Sequence, residues 1–158
     1  GRFRGVAVEG SLPLRSLIPV GLLEVTAAFR DSHFDDPITG ETRQLFGVQD
    51  RDIDIDFRQD IASERIAWGV KYEPGGRYRQ FFVDEAIDEL RTDRWTAFIE
   101  TTRFFGVKMN LEVRHIGGVE FPRERLLFAP DRSGALSGSE ILDRRRGEFV
   151  KFTVSDQF

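Results

Sequence analysis

Seven stretches of this chain alternate apolar and polar residues at period two, and the connections between them run short, long, short, long, short, long. Period two sends successive side chains to opposite faces of a strand, so each stretch reads as a strand with one apolar face. The clearest is Asp52–Asp60. Ile53, Ile55 and Phe57 face one way, and Asp52, Asp54, Asp56 and Arg58 the other. The last, Glu148–Phe158, sets Val150, Phe152, Val154 and Phe158 against Lys151, Thr153, Ser155 and Gln157. It has about the length of a strand that crosses a bilayer, and it ends on an aromatic. One residue breaks its pattern: Asp156, on the apolar side.

The remaining strands follow the same rule. Gly5–Leu14 and Gly21–Arg30 flank the short connection Arg15–Val20, and a long polar stretch, Asp31–Arg51, follows with Asp35-Asp36-Pro37 and Thr39-Gly40 as turn chemistry. Ala62–Arg65 is a tight connection into a strand with Ile66, Trp68, Val70 and Tyr72 on one face and Ala67, Gly69 and Lys71 on the other. Pro74-Gly75-Gly76 reads as a break or bulge within a longer pattern. Beyond it, Arg77–Val83 and Ala86–Arg94 read as extensions of a tall hairpin, although Asp84–Leu90 also has the composition of a short helix. Trp95–Phe104 and Val107–His115 form the next pair around Phe105-Gly106. Here Val107, Met109, Leu111 and Val113 oppose Lys108, Asn110, Glu112 and Arg114. Gly117–Gly147 reads as a long loop.

Composition removes several function classes. Without Cys there is no disulfide framework, thiolate metal site or Cys nucleophile. A net charge of −4 argues against a nucleic-acid surface despite 23 basic residues. The longest apolar run, Leu17–Leu23, contains Pro19 and Gly21 and is too short for a spanning helix. A transmembrane barrel escapes that test, because lipid-facing and lumen-facing residues alternate along its strands. The chain opens on Gly-Arg-Phe-Arg, with no initiating Met and no signal peptide, and is read as a trimmed piece or the tail of a longer protein.

Site chemistry is sparse. His33 and His115 lie in separate segments without clustered ligands, which disfavours a zinc site or a His-based triad. The acidic run Asp50–Asp56 lacks the Gly and terminal Glu of a calcium loop and reads as one hydrated strand face. Glu100 and Glu112 have Lys108 and Arg114 among them, which suits a charge-compensated wet surface better than a catalytic carboxylate pair. Gly75-Gly76 lacks the helix and Lys-Ser/Thr of a phosphate loop. Arg144–Arg146 reads as a solvated loop or a contact for anionic lipopolysaccharide. No cofactor and no enzymatic activity are expected.

Alternating connection length is the habit of outer-membrane barrels, with short periplasmic turns and long extracellular loops. The aromatics Trp68, Tyr72, Trp95, Phe104, Phe152 and Phe158 suit interfacial girdles about 25 Å apart. Over nearly its whole length the chain resembles the C-terminal part of the barrel of a TonB-dependent outer-membrane receptor. The resemblance rests on Asp36-Pro37-Ile38-Thr39-Gly40, Asp54–Asp60, Ala67–Tyr72, Trp95–Phe104 and Phe149–Phe158. It departs at His115-Ile116-Gly117-Gly118, where such receptors often carry Asn-Leu.

The resemblance implies an all-β fold: an antiparallel, up-and-down transmembrane β-barrel, here partial, with about seven C-terminal strands over residues 1–158 and no plug domain. Its lumen would be lined by Asp52, Asp54, Asp56, Arg58, Lys71, Glu100, Lys108, Asn110, Glu112 and Arg114. Phe158 would serve as an assembly signal. It further implies energy-dependent uptake of a scarce nutrient such as a ferric siderophore, cobalamin or a glycan, in the outer membrane of a Gram-negative bacterium. The partners would be outer-membrane lipid and lipopolysaccharide, the barrel-assembly machinery, the TonB complex through an N-terminal region, and the nutrient. The alternative is a soluble β-barrel or sandwich that binds a small apolar ligand, with Val107, Met109, Leu111 and Val113 facing its interior.

Overall fold

Among residues 1–45 and 47–155, which the computed structural model describes, every regular element is a strand. In chain order they are β1 (Arg2–Pro13), β2 (Gly21–Asp35), β3 (Thr42–Arg43), β4 (Arg51–Ile61) and β5 (Ile66–Glu73). Next come β6 (Gly76–Phe81), β7 (Glu85–Arg91), β8 (Arg94–Thr101) and β9 (Lys108–Arg114). The last are β10 (Val119–Glu120), β11 (Arg123–Ala129), β12 (Ala135–Leu142), β13 (Arg145–Arg146) and β14 (Phe149–Ser155). The fold is all-β and antiparallel.

Seven strands form one meander in the order β1-β2-β4-β5-β8-β9-β14, with β3 paired to the end of β2. Its register keeps the sequence alternation in phase across every strand. Leu12, Leu23, Phe57, Val70, Ala97, Val113 and Val150 form one row from edge to edge. One residue along each strand, the opposite face carries Ser11, Glu24, Asp56, Lys71, Thr96, Arg114 and Phe149. A slip of one residue in any pair would mix the two faces, so the pattern itself fixes the pairing. Among the described residues the sheet is open, because β1 and β14 each have a single neighbour in it.

The three short connections lie along one end of the meander and the three long ones along the other, where they fold into structure of their own. There β6 and β7 pair with β11 and β12 in the order β12-β11-β7-β6, and β10 pairs with β13. The tall hairpin is real. Glu73 opposite Arg94 in β5–β8 and Gly76 opposite Arg91 in β6–β7 share one register, interrupted at Pro74-Gly75. A Cβ on Gly75 would sit 2.1 Å from the Arg91 carbonyl oxygen, so the break needs glycine.

The strand reading of Ala86–Arg94 holds over the helical alternative, since Glu85–Arg91 is a strand paired on both sides. Two expectations require correction. Gly117–Gly147 is not a plain loop, since it contributes β10 through β13. The Trp95–Phe104 strand stops at Thr101, which leaves Phe104 in the turn.

The main sheet is a single layer. Among the described residues its strands contact chiefly their ladder neighbours, and no strand of the second sheet makes extensive contact with them. Consequently only Ala67 and Val119 are buried apolar residues among those described.

Gly69 lies at a close approach within the main sheet. An added Cβ would lie 2.4 Å from the Phe57 carbonyl oxygen and 2.5 Å from the Phe98 ring, which covers the glycine. Arg58 in turn lies over that ring, 5.6 Å from its centroid. Overpacking of this kind costs about 1–3 kcal/mol. Gly69→Ala is therefore expected to lower the guanidinium midpoint of the chain in detergent micelles by a corresponding amount, read by Trp fluorescence. An unchanged midpoint would mean that Phe98 and the β4 backbone give way freely.

Candidate functional site

All ten residues expected to line a lumen fall on one face of the meander: Asp52, Asp54, Asp56, Arg58, Lys71, Glu100, Lys108, Asn110, Glu112 and Arg114. Most of them are linked by charge. Arg58 donates to Glu100 at 2.5 Å and to Asp60 at 2.8 Å, and Lys108 reaches the other Glu100 oxygen at 2.8 Å. Lys71 lies 3.3 Å from Asp54 and 4.0 Å from Asp56. Arg114 pairs with Glu112, and Arg30 lies 3.8 Å from Asp52. The acidic run is thus a row of ion pairs. No group of three or more His, Asp or Glu side chains is arranged to hold a metal among the described residues.

Most of the aromatics expected at interfaces lie on the other face of the sheet. Trp68, Tyr72, Trp95 and Phe152 share the apolar face. Tyr72 and Trp95 stack with ring centroids 4.4 Å apart, and the Tyr72 hydroxyl donates to Asp93 at 2.9 Å. Trp68 donates its indole N–H to Gln59 at 2.9 Å, which satisfies the one amide on that face beside it. Phe104 is half-exposed in the turn at the short-connection end. Phe158 and Asp156 lie outside the described residues.

Sequence reasoning missed the cluster that holds the long connections together. The Asp36 side chain is fully buried, and its Oδ2 accepts from Arg43 and from Arg132, each at 2.5 Å. Its Oδ1 accepts from the backbone N–H of Ile38 at 2.9 Å and of Thr39 at 3.3 Å, which closes the turn that follows β2. Both guanidinium groups lie over the Phe81 ring, at 4.3 Å for Arg43 and 5.4 Å for Arg132. One carboxylate therefore ties three long connections: the β2–β4 loop, the end of β6 and the β11–β12 turn. Burial alone pushes the Asp36 carboxyl up. The hydrogen bonds from Arg43, Ile38, Arg132 and Thr39 outweigh it and hold the group well below the usual carboxylate range.

The Arg144–Arg146 triplet is also more structured than a solvated loop. Arg145 and Arg146 form β13 against β10, and Arg144 donates to Glu89 on β7 at 2.8 Å. With Arg91 and Arg94 the triplet lines a cleft of about 730 Å³ that also includes Phe121.

The chain matches no family model, no curated protein and no solved structure.

The depressed Asp36 titration sets a direction. Its contribution is fully present above the ordinary aspartate range and is lost only as pH falls through the lower folded-state value. Hydrogen-exchange protection of residues 36–43 and 129–135 is thus expected to hold from pH 7.5 down to pH 5. Asp36→Asn removes the charge that Arg43 and Arg132 share, and breaking such a buried pair costs about 3–5 kcal/mol. That variant should lose the protection at every pH. Protection of the wild type that fades near pH 6 would contradict the assignment.

Proposed function

We propose that this chain is the C-terminal part of the transmembrane β-barrel of a TonB-dependent outer-membrane receptor. Its role would be energy-dependent uptake of a scarce nutrient such as a siderophore, cobalamin or a glycan. The observation that carries this reading is the uncovered apolar face. Val150, Phe152 and Val154 are 61%, 63% and 53% exposed, and their row neighbours Val113, Leu111 and Met109 continue the same surface inward. A sheet in water would cover such a face, because large contiguous apolar patches mark membrane or partner contact. A lipid environment covers it without any further protein layer.

Three further features support the reading. The 11 residues of β4 fit the about 9–11 that a tilted strand needs to cross a bilayer. The opposite face is polar and charge-compensated, as a wet lumen requires. All three long connections emerge at one end, as do the external loops of such barrels. In this arrangement the outer leaflet with its lipopolysaccharide would border the loop end. The terminal strand would engage the assembly machinery, and TonB would act through a region N-terminal to this chain.

The soluble reading needs a cover for Val107, Met109, Leu111 and Val113. A sandwich would provide one with a second sheet stacked about 10 Å away. Here the second sheet extends the hairpin β5–β8 lengthwise and leaves the apolar face open.

Leu111 and Asn110 are adjacent on β9 and point to opposite faces, which gives a sided test. Leu111→Arg is expected to cost about 2–4 kcal/mol of membrane insertion if the residue lies near the midplane, and Asn110→Arg should be tolerated. The measurement is the amount of folded, heat-modifiable protein in lipid vesicles across a urea series. Equal costs would reverse the faces. Recovery of wild-type chain as a monomer in detergent-free buffer would end the membrane reading.

A further inference from the structure

The cleft beside β13 has a composition unlike the rest of the molecule. The chain carries a net charge of −4, yet here Arg91, Arg94, Arg144, Arg145 and Arg146 line one concavity with only Glu89 and Asp143 as carboxylates. Glu89 is already engaged by Arg91 at 3.0 Å and by Arg144 at 2.8 Å, and Arg94 is engaged by Glu73 at 2.7 Å. Arg145 and Arg146 are different. Among the described residues neither forms an ion pair, and Asp143 forms none with them.

Both free guanidinium groups are nonetheless held in place. Arg145 donates to the Gly117 carbonyl at 3.4 Å, and its Nε would lie 3.0 Å from a Cβ on Gly118. Gly117 and Gly118 both have φ near +80°, so the turn after β9 is shaped by residues that reach this conformation without strain. Arg146 lies over the Phe121 ring, 5.5 Å from its centroid. Glu120 stands opposite Arg145 in the β10–β13 pair and Asp143 lines the cleft. Yet among the described residues neither Arg145 nor Arg146 forms an ion pair, so both planar forks stay open to bidentate capture of carboxylate or phosphate groups. The cleft volume of about 730 Å³ is in the range of small-molecule sites.

The cleft also has a side. Arg94 pairs across the ladder with Glu73, on the face shared by Lys71 and Thr96, whereas Trp95 and Tyr72 point to the apolar face. The arginines therefore gather where the charged face meets the long connections, away from the surface that would meet lipid. We propose that this cleft binds a small, multiply charged anion bearing carboxylate or phosphate groups, taken from solution rather than from a lipid headgroup, with Arg145 and Arg146 as its main contacts. The inference deepens the barrel reading and rests on it for one point, that the charged face borders a lumen.

The test uses the full chain in neutral detergent micelles, with tricarballylate and inorganic pyrophosphate as probes in calorimetric titration. Saturable binding that weakens as salt is raised is expected for at least one probe. The R145Q/R146Q double variant should weaken it at least tenfold, with its far-UV circular dichroism unchanged. Arg103→Gln, at the short-connection end, should bind as wild type. If the double variant does not fold, R145K/R146K carries the test: it keeps the charges, loses the forks, and should weaken binding by an intermediate factor.

A lack of binding to both probes at millimolar concentration would overturn the proposal, as would binding indifferent to these variants. Binding only to vesicles that contain phosphatidylglycerol, and not to the free anions, would overturn the solution source. Insertion into neutral vesicles, measured by protease protection on the same samples, separates the two readings. A chain that inserts but binds neither probe fails here alone. A chain that binds but stays out of vesicles retains the cleft and loses the barrel.

Discussion

A sheet one layer thick has no interior, and everything else about this molecule follows from that. Only two apolar residues are fully buried among those described, and most of the other apolar side chains stay partly exposed, so the usual source of stability, apolar area removed from water on folding, is reduced. What remains inside the protein is the ladder of backbone hydrogen bonds and the row-to-row contacts along each face. Such terms make a register, and they must be set against the conformational entropy of ordering the chain. The seven-strand meander is thus a structure whose stability depends on what lies against its apolar face. Under the proposed reading, lipid hydrocarbon would meet that need across the whole face at once.

The two faces have different engineering. The apolar face is dominated by aliphatic and aromatic side chains, and two polar groups beside its aromatic row are engaged: Gln59 by Trp68 and Asp93 by Tyr72. The charged face is specific: Glu100 bridges β4 and β9 through Arg58 and Lys108, and Lys71 joins β5 to β4. Half-exposed ion pairs of this kind add little stability individually. They keep the face polar while leaving little net charge. At the loop end the order reverses, and one buried carboxylate, Asp36, holds three connections with two arginines. The head is therefore built on a local polar cluster, while the wall beneath it is built on periodicity.

That contrast explains what was legible in the sequence. Alternation is informative where a strand has one apolar and one polar face. The alternation of Asp52–Asp60, Ile66–Tyr72 and Val107–His115 therefore reappears as the two faces of one sheet, and the break expected at Pro74-Gly75-Gly76 interrupts one hairpin at Pro74-Gly75. The head has no such pair of faces. Arg123–Ala129 reads Arg-Glu-Arg-Leu-Leu-Phe-Ala, with no period of two, and it becomes a strand only because β7 and β12 flank it. Asp36 looked like turn chemistry and does close a turn, but Arg132 reaches it from nearly a hundred residues away. No local signal encodes that pairing. Phe98 was equally opaque: an aromatic on the charged face makes sense only once Gly69 is found beneath it.

The edges of the sheet carry the argument one step further. β1 and β14 each present one side with no ladder partner in the sheet, and β1 does so over 12 residues. In water, unpaired N–H and C=O groups along an edge are solvated, and the hazard is association with other edges. In hydrocarbon each unsatisfied group costs several kcal/mol, so an open sheet cannot be the final state of a membrane wall. The proposal therefore requires further strands to pair with both edges. β1 bears on how they would pair. Its apolar side chains Val6, Val8 and Leu12 stand in phase with those of β2, so a strand added beyond β1 has its faces dictated before its sequence is known. β14 imposes the same condition at the other edge through Val150, Phe152 and Val154. Whatever closes this sheet must alternate in the same phase, with its apolar side turned to the same medium.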